Sequence, residues 1–238
     1  MKLTRRTAAI VLVGTLVVGA CGSGDEDALP SAADAAALVP PPPLDPDGPD
    51  ATIAPDLPDE YRDVVGPVEV IGDPLAQLES NDFSADPAVG TAAPVLVGLD
   101  YDGRTVRVDA GAAGPTMVVF LAHWCPHCNA EIPVINQLRD DDRIPADVNV
   151  VAVSTAVRPG QPNFPPDTWL DDKEWTYPVL ADGIDMVNGS FIAASAYGVG
   201  GFPFITLIDA NGNVTARWSG EREPNEIAGL LGQLSIAG

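Results

Sequence analysis

Five residues constrain this chain more than any others: Trp124-Cys125-Pro126-His127-Cys128. They follow a continuous apolar run, Val118-Val119-Phe120-Leu121-Ala122, and precede a segment with helical spacing. A buried strand must therefore hand over to a helix at the first cysteine. A thiol at a helix N-terminus meets unpaired backbone N–H groups and the positive end of the dipole. Both favour the thiolate and lower its pKa. Two cysteines separated by two residues at such a junction read as a thiol–disulfide redox pair.

The cysteine count supports that reading. There are three cysteines in 238 residues. The first follows a leader: Lys2, Arg5 and Arg6 form a basic n-region, Ala8 to Val18 an apolar stretch, and Val18-Gly19-Ala20 a small-residue cleavage site. The stretch is shorter than a membrane span needs. Residues 1–20 are expected to be a signal peptide. The sequence ending at Cys21 resembles a bacterial lipobox, which implies lipidation of Cys21. Cys125 and Cys128 are then the remaining pair, with no cysteine left for a structural disulfide. An exported protein of that kind handles other proteins' thiols rather than its own.

The formal charge is −22, and the leader contributes only basic residues, so the mature chain is more acidic still. This argues against nucleic acid and anionic lipid surfaces as partners. Solubility accounts for the charge.

Residues 21–60 read as a tether. From residue 22 on they contain ten acidic and no basic residues, with Pro40-Pro41-Pro42-Pro43 at the centre. Such a segment cannot bury a core and is expected to be extended or disordered. Residues 61–87 read as an extension with one short strand, Val68 to Ile71. Residues 88–238 read as the folded domain. Val95 to Val97, Asp102-Gly103 and Thr105 to Val108 predict a hairpin. Strands are predicted at 117–122, 148–153, 204–209 and 214–218. Helices are predicted at 129–138, 168–174, 190–197 and 224–234, the first expected to kink at Pro133. The result is an α/β domain, a mixed sheet flanked by helices.

These residues resemble the thioredoxin superfamily, in its exported TlpA/ResA-like redoxin branch. Phe120 to Cys128 resemble the redox strand–helix junction, and Cys128-Asn129-Ala130-Glu131-Ile132-Pro133 resemble its continuation. Gly90-x-x-x-Pro94 with the following hairpin resembles an added N-terminal hairpin. Gly201-Phe202-Pro203-Phe204-Ile205 resembles the cis-proline strand. The resemblance implies a thioredoxin fold with an added N-terminal β-hairpin. It also implies attack by Cys125, the more exposed thiol, and resolution by Cys128. Pro203 is then expected to face the disulfide through a cis peptide bond. One position departs: Val119 stands where thioredoxins proper carry a buried Asp.

Trp124, Pro126, His127, Glu131 and Pro203 are candidate supporting residues. His127 can stabilise a thiolate by charge or hydrogen bonding, and Pro126-His127 matches the oxidising DsbA type. Glu131, three residues after Cys128, shares its helix face. It reads equally as a proton carrier for the resolving thiol or as a solvated charge. His123 reads as a surface residue. Phe202 and Phe204 flank Pro203, facing either substrate or core. No metal site and no cofactor are expected.

The function expected is an extracytoplasmic, membrane-tethered thiol–disulfide oxidoreductase. Its expected partners are protein clients and a membrane redox partner, and the chain is expected to act as a monomer. Two rival readings fit the motif less well. A peroxiredoxin needs a T-x-x-C frame, but Leu121 and Ala122 precede the motif. A Sco-like copper chaperone needs C-x-x-x-C and a distant histidine, but both histidines adjoin the motif. Direction stays open: the branch implies a reductant, the Pro-His dipeptide an oxidant.

Overall fold

Residues 57–236 are described by a computed structural model, with the leader, Cys21 and most of the expected tether outside that span. The packed region starts at Leu57, inside the expected tether. Leu57, Tyr61 and Val64 form a small cluster with Val157, after a 3-10 turn at Asp59–Tyr61.

Three antiparallel strands come first: β1 (Glu69–Ile71), β2 (Val95–Leu99) and β3 (Thr105–Val108). A single turn, α1 (Ala110–Ala113), is capped by the Asp109 carboxylate accepting from the Ala112 N–H. The central sheet contains β4 (Thr116–Leu121), β5 (Asn149–Ser154), β6 (Val179–Ala181), β9 (Phe204–Ile208) and β10 (Val214–Ser219). Its order is β10-β9-β4-β5-β6. β4, β5 and β6 are parallel, while β9 and β10 run antiparallel to their neighbours. Every residue of β4 is buried, as a central strand covered on both faces requires. The helices are α2 (Pro126–Asp140), α3 (Pro166–Asp172), α4 (Ile192–Ala196) and α5 (Pro224–Ile236). A two-residue ribbon, β7 (Ile184–Asp185) with β8 (Ser190–Phe191), precedes α4.

The helix boundaries differ from expectation for local reasons. α2 starts at Pro126 rather than Asn129 because proline at the first helical position suits its fixed φ. Pro133 stands inside α2 without ending it. α3 likewise starts early, on Pro166. α4 starts late because the buried Asp182 carboxylate accepts from the Ala193 and Ala194 N–H groups and anchors the turn there. The sequence reading missed β6, three residues bounded by Pro178 and Asp182, too short to show a period.

Residues 72–90 strap across the domain. Arg217 on β10 is fully buried and grips both oxygens of buried Asp86, while its Nη1 donates to the Ala76 and Tyr197 carbonyls at 2.9 Å. Burial alone would raise the Asp86 pKa, but the guanidinium hydrogen bonds hold it below its ordinary value. Gly198, at φ +62°, lets the strap pass closely: a Cβ there would lie 2.3 Å from the Ala76 carbonyl oxygen.

Candidate active site

β4 ends at Leu121 and α2 begins at Pro126, so Cys125 falls at the helix N-cap, with φ −77° and ψ 122°. Its carbonyl accepts from the Asn129 backbone N–H at 3.2 Å and side-chain N–H at 2.9 Å. The register of β4 against β9 pairs Phe120 with Phe204. That pairing carries Phe202 and Pro203 alongside the β4–α2 junction, although they are far away in sequence. The Phe202–Pro203 peptide is cis. Cys125 Sγ lies 3.6 Å from the Phe202 carbonyl oxygen.

Cys125 is the more exposed of the two thiols, as expected, but both are buried, at 2 % against 0 % for Cys128. Its chain neighbour Trp124 packs edge to face against Phe202, with ring centroids 6.1 Å apart. Trp124 is itself held, its indole N–H donating to the Ala156 carbonyl at 2.7 Å and its ring lying under the Arg158 guanidinium at 4.1 Å.

The two thiols differ electrostatically. The Cys125 pKa falls to about 6. The main cause is a hydrogen bond from the Cys128 thiol. The backbone N–H groups of Cys128 and His127 and the charge of His127 add to it, and burial opposes it. Cys128 is pushed well above the usual thiol range, first by burial and then by its hydrogen bond to Cys125. Its sulfur accepts from the Ala122 N–H at 3.5 Å. Pairs driven apart in this way mark reactive centres.

His127 is half-exposed, and its Nδ1 lies 2.7 Å from Glu221 Oε1. Glu131 is fully buried, so the solvated-charge reading is corrected. It projects inward from the face that also carries Cys128, and burial pushes its pKa up to about 7. One carboxylate oxygen accepts weakly from the Arg222 N–H at 3.4 Å, while the other is buried without a partner. A raised carboxylate pKa means that the fold favours the protonated form. Its contribution to stability is therefore largest below the ordinary value of 4.5 and is lost as pH rises to about 7. Glu131→Gln should remove that fall and stabilise the protein at pH 8 by about 3 kcal/mol. Urea unfolding at pH 5 and pH 8 measures both effects, and unchanged curves would contradict the buried carboxyl.

His123 is also corrected: it is buried, not at the surface. Its Nε2 accepts from the Arg158 N–H at 3.1 Å, so Nδ1 carries the proton and donates to the Pro162 carbonyl at 2.8 Å. Asn163 donates to its carbonyl at 2.7 Å, and Phe164 packs on its ring. Burial lowers its pKa and keeps it neutral. His123 thus clasps the 156–165 loop onto the redox junction. Phe202 belongs to the site, whereas Phe204 is core, packed edge-on against Phe120.

Sequence reasoning missed Glu221 and Arg222. They lie in the loop after β10, and no spacing rule links them to the motif; only the β4–β9–β10 order brings them there. Asn129 was another miss, bridging the Cys125 carbonyl and the Trp169 indole N–H.

A helix-capping thiol with a low pKa, a raised partner and a neighbouring cis proline on this mixed sheet define a thiol–disulfide oxidoreductase of the thioredoxin superfamily. The chain belongs to the AhpC/TSA family, whose sequence model matches residues 89–217. It is similar to the thiol-disulfide oxidoreductase ResA of Geobacillus thermodenitrificans, at 32 % identity over 127 residues, covering 53 % of this chain and 67 % of the relative. ResA of Geobacillus kaustophilus is 30 % identical over the same coverage. Among solved structures, the thioredoxin domain of a thiol-disulfide oxidoreductase from Bacteroides vulgatus is 20 % identical, with a TM-score of 0.48. The match covers 61 % of this chain and 96 % of that one.

Proposed function

We propose that this chain is an extracytoplasmic thiol–disulfide oxidoreductase, held at a membrane by lipid on Cys21, that exchanges disulfides with client proteins through Cys125 and Cys128. The observation that carries the reading is the contrast between the two thiols: Cys125 lowered to about 6, Cys128 raised well above its ordinary value. At neutral pH the first is mostly thiolate and the second is mostly thiol, as a division between attack and resolution requires.

In the reducing direction the Cys125 thiolate attacks a client disulfide. A Cys125–client bond forms, the client bond breaks, and one client sulfur leaves as thiolate. Cys128 then loses its proton and attacks Cys125 Sγ, releasing the second client sulfur. Two electrons pass to the client and the pair ends as a disulfide; the oxidising direction is the reverse. Glu131, with a pKa of about 7, suits the Cys128 proton transfer. Trp124, Pro126 and Pro203 shape the approach to Cys125.

The stabilised Cys125 thiolate favours the reduced pair and raises the potential, which supports an oxidising poise. Acidic groups elsewhere on the surface oppose this weakly, because charges beyond a Debye length of ~8 Å are largely screened. Equilibrating the full-length protein with glutathione buffers tests the proposal. The expected result is a reversible two-electron titration with a midpoint well above thioredoxin's ~ −270 mV. A midpoint at or below that value would assign a reductant, and no reversible titration would remove the function.

The chain comprises a leader (1–20), a lipidated tether (21–60) whose last residues, from Leu57, already pack on the domain, an extension (61–87) and a redox domain (88–238), and it acts as a monomer with a membrane redox partner. Cys21→Ser should move the protein from the membrane to the soluble fraction, because stable anchoring needs the lipid chains. Retention in the membrane fraction would point instead to an uncleaved leader. The family match raises a peroxidase reading, but Ala122 supplies no hydroxyl three residues before Cys125, and its N–H is directed at Cys128 Sγ.

A further inference from the structure

A three-residue stretch of the loop between β10 and α5 reaches three separate parts of the dithiol site. The Gly220 N–H donates to the Pro203 carbonyl at 2.8 Å. Glu221 Oε1 lies 2.7 Å from His127 Nδ1. The Arg222 N–H is directed at Glu131 Oε2, at 3.4 Å. The loop is fixed on both sides. Ser219 exchanges two hydrogen bonds with the Asn81 side chain, at 2.9 and 3.0 Å. Arg222 packs its guanidinium on the Phe83 and Trp218 rings, at 5.0 and 5.2 Å, and lies 3.7 Å from Glu226. The carboxylate between these anchors is thus presented to His127.

We propose that Glu221 is a positioning residue for the exchange reaction, holding the His127 imidazole beside Cys125 in its cationic form and so favouring the reduced pair. This rests on the thiol–disulfide reading above. Glu221 lies outside the residues that the family model matches. Charged and titratable groups near His127 include the Cys125 thiolate and Glu221, with Cys128 and Glu131 on the same helix and Arg222 on the facing loop. Glu221 has two opposed effects: it supports the imidazolium and it repels the thiolate. Coulomb energy falls with distance, and solvent screens longer separations more. Glu221 is in direct hydrogen-bond contact with His127, at 2.7 Å, and the charge of His127 is one of the causes that lower the Cys125 pKa. Support of the imidazolium therefore dominates.

The test is Glu221→Gln in the full-length protein, which keeps a hydrogen-bonding oxygen and removes the charge. The Cys125 alkylation midpoint should rise. The equilibrium with glutathione should move about tenfold toward the disulfide, equivalent to about 30 mV. Both side chains are 45 % exposed, so the shift should shrink in 1 M salt. It should vanish when His127 is already Ala, as a double-mutant cycle reads it. No shift, a shift of opposite sign, or the same shift in the His127→Ala background would overturn the role. Loss of the underlying exchange reading would show instead as no reversible titration in the unmodified protein.

Discussion

Cys128→Ala should trap mixed disulfides between Cys125 and client proteins, while Cys125→Ala should reduce exchange to the uncatalysed background. The difference follows from ionisation. Cys125, at about 6, is mostly thiolate at pH 7, whereas an ordinary free thiol is only a few per cent ionised. Cys128 is fully buried and pushed upward, so it cannot replace Cys125 as the attacking group. Without Cys128 the mixed disulfide has no internal thiol to resolve it. The hydrogen bond from Cys128 is also the largest contributor to the low Cys125 pKa. Trapped species should therefore form more slowly than normal turnover would suggest, yet persist. Non-reducing gels of alkylated cell extracts measure this. Trapping by Cys125→Ala but not by Cys128→Ala would reverse the roles.

Asp86→Ala should cost about 3–5 kcal/mol, the usual penalty for leaving one charge of a buried pair unmatched. Arg217 has no exposed side-chain surface, and its remaining partners would be the Ala76 and Tyr197 carbonyls. The damage should also reach the active site. Asp86 and Asn81 lie on one strap, and Asn81 holds Ser219 at the root of the Glu221 loop. Urea unfolding reads the stability. A loss under 1 kcal/mol would mean that the strap detaches without consequence. Replacing both partners with apolar residues should recover much of the loss.

The site was legible in the sequence where local rules apply. An apolar run followed by Cys-Pro-His-Cys located β4 and the thiolate at the strand–helix junction, because strand burial and helix-end electrostatics act over a few residues, whereas the helical spacing placed the start of α2 three residues late. The resemblance gave Pro203, and the β4–β9 register explains how it reaches Cys125. Tertiary context decided the rest. His123 looks like a surface residue, yet the 156–165 loop folds over it and uses both of its ring nitrogens. Glu131 could equally have been solvated; its burial depends on α5 and the Arg222 loop closing over α2. Glu221 gave no sequence signal, because two strand crossings lie between it and the motif. β6 was missed because three residues cannot display a period.

The central claim is that Cys125 is a stabilised thiolate in an exchanging pair, and the pH profile of its alkylation tests it most directly. Reduced full-length protein, treated with a small alkylating agent across pH 4 to 10, should react at Cys125 with a midpoint near the value of about 6 that the site imposes. Cys128 should stay unreactive until well above the ordinary thiol range. A Cys125 midpoint near the free-thiol ~8.5 would contradict the account.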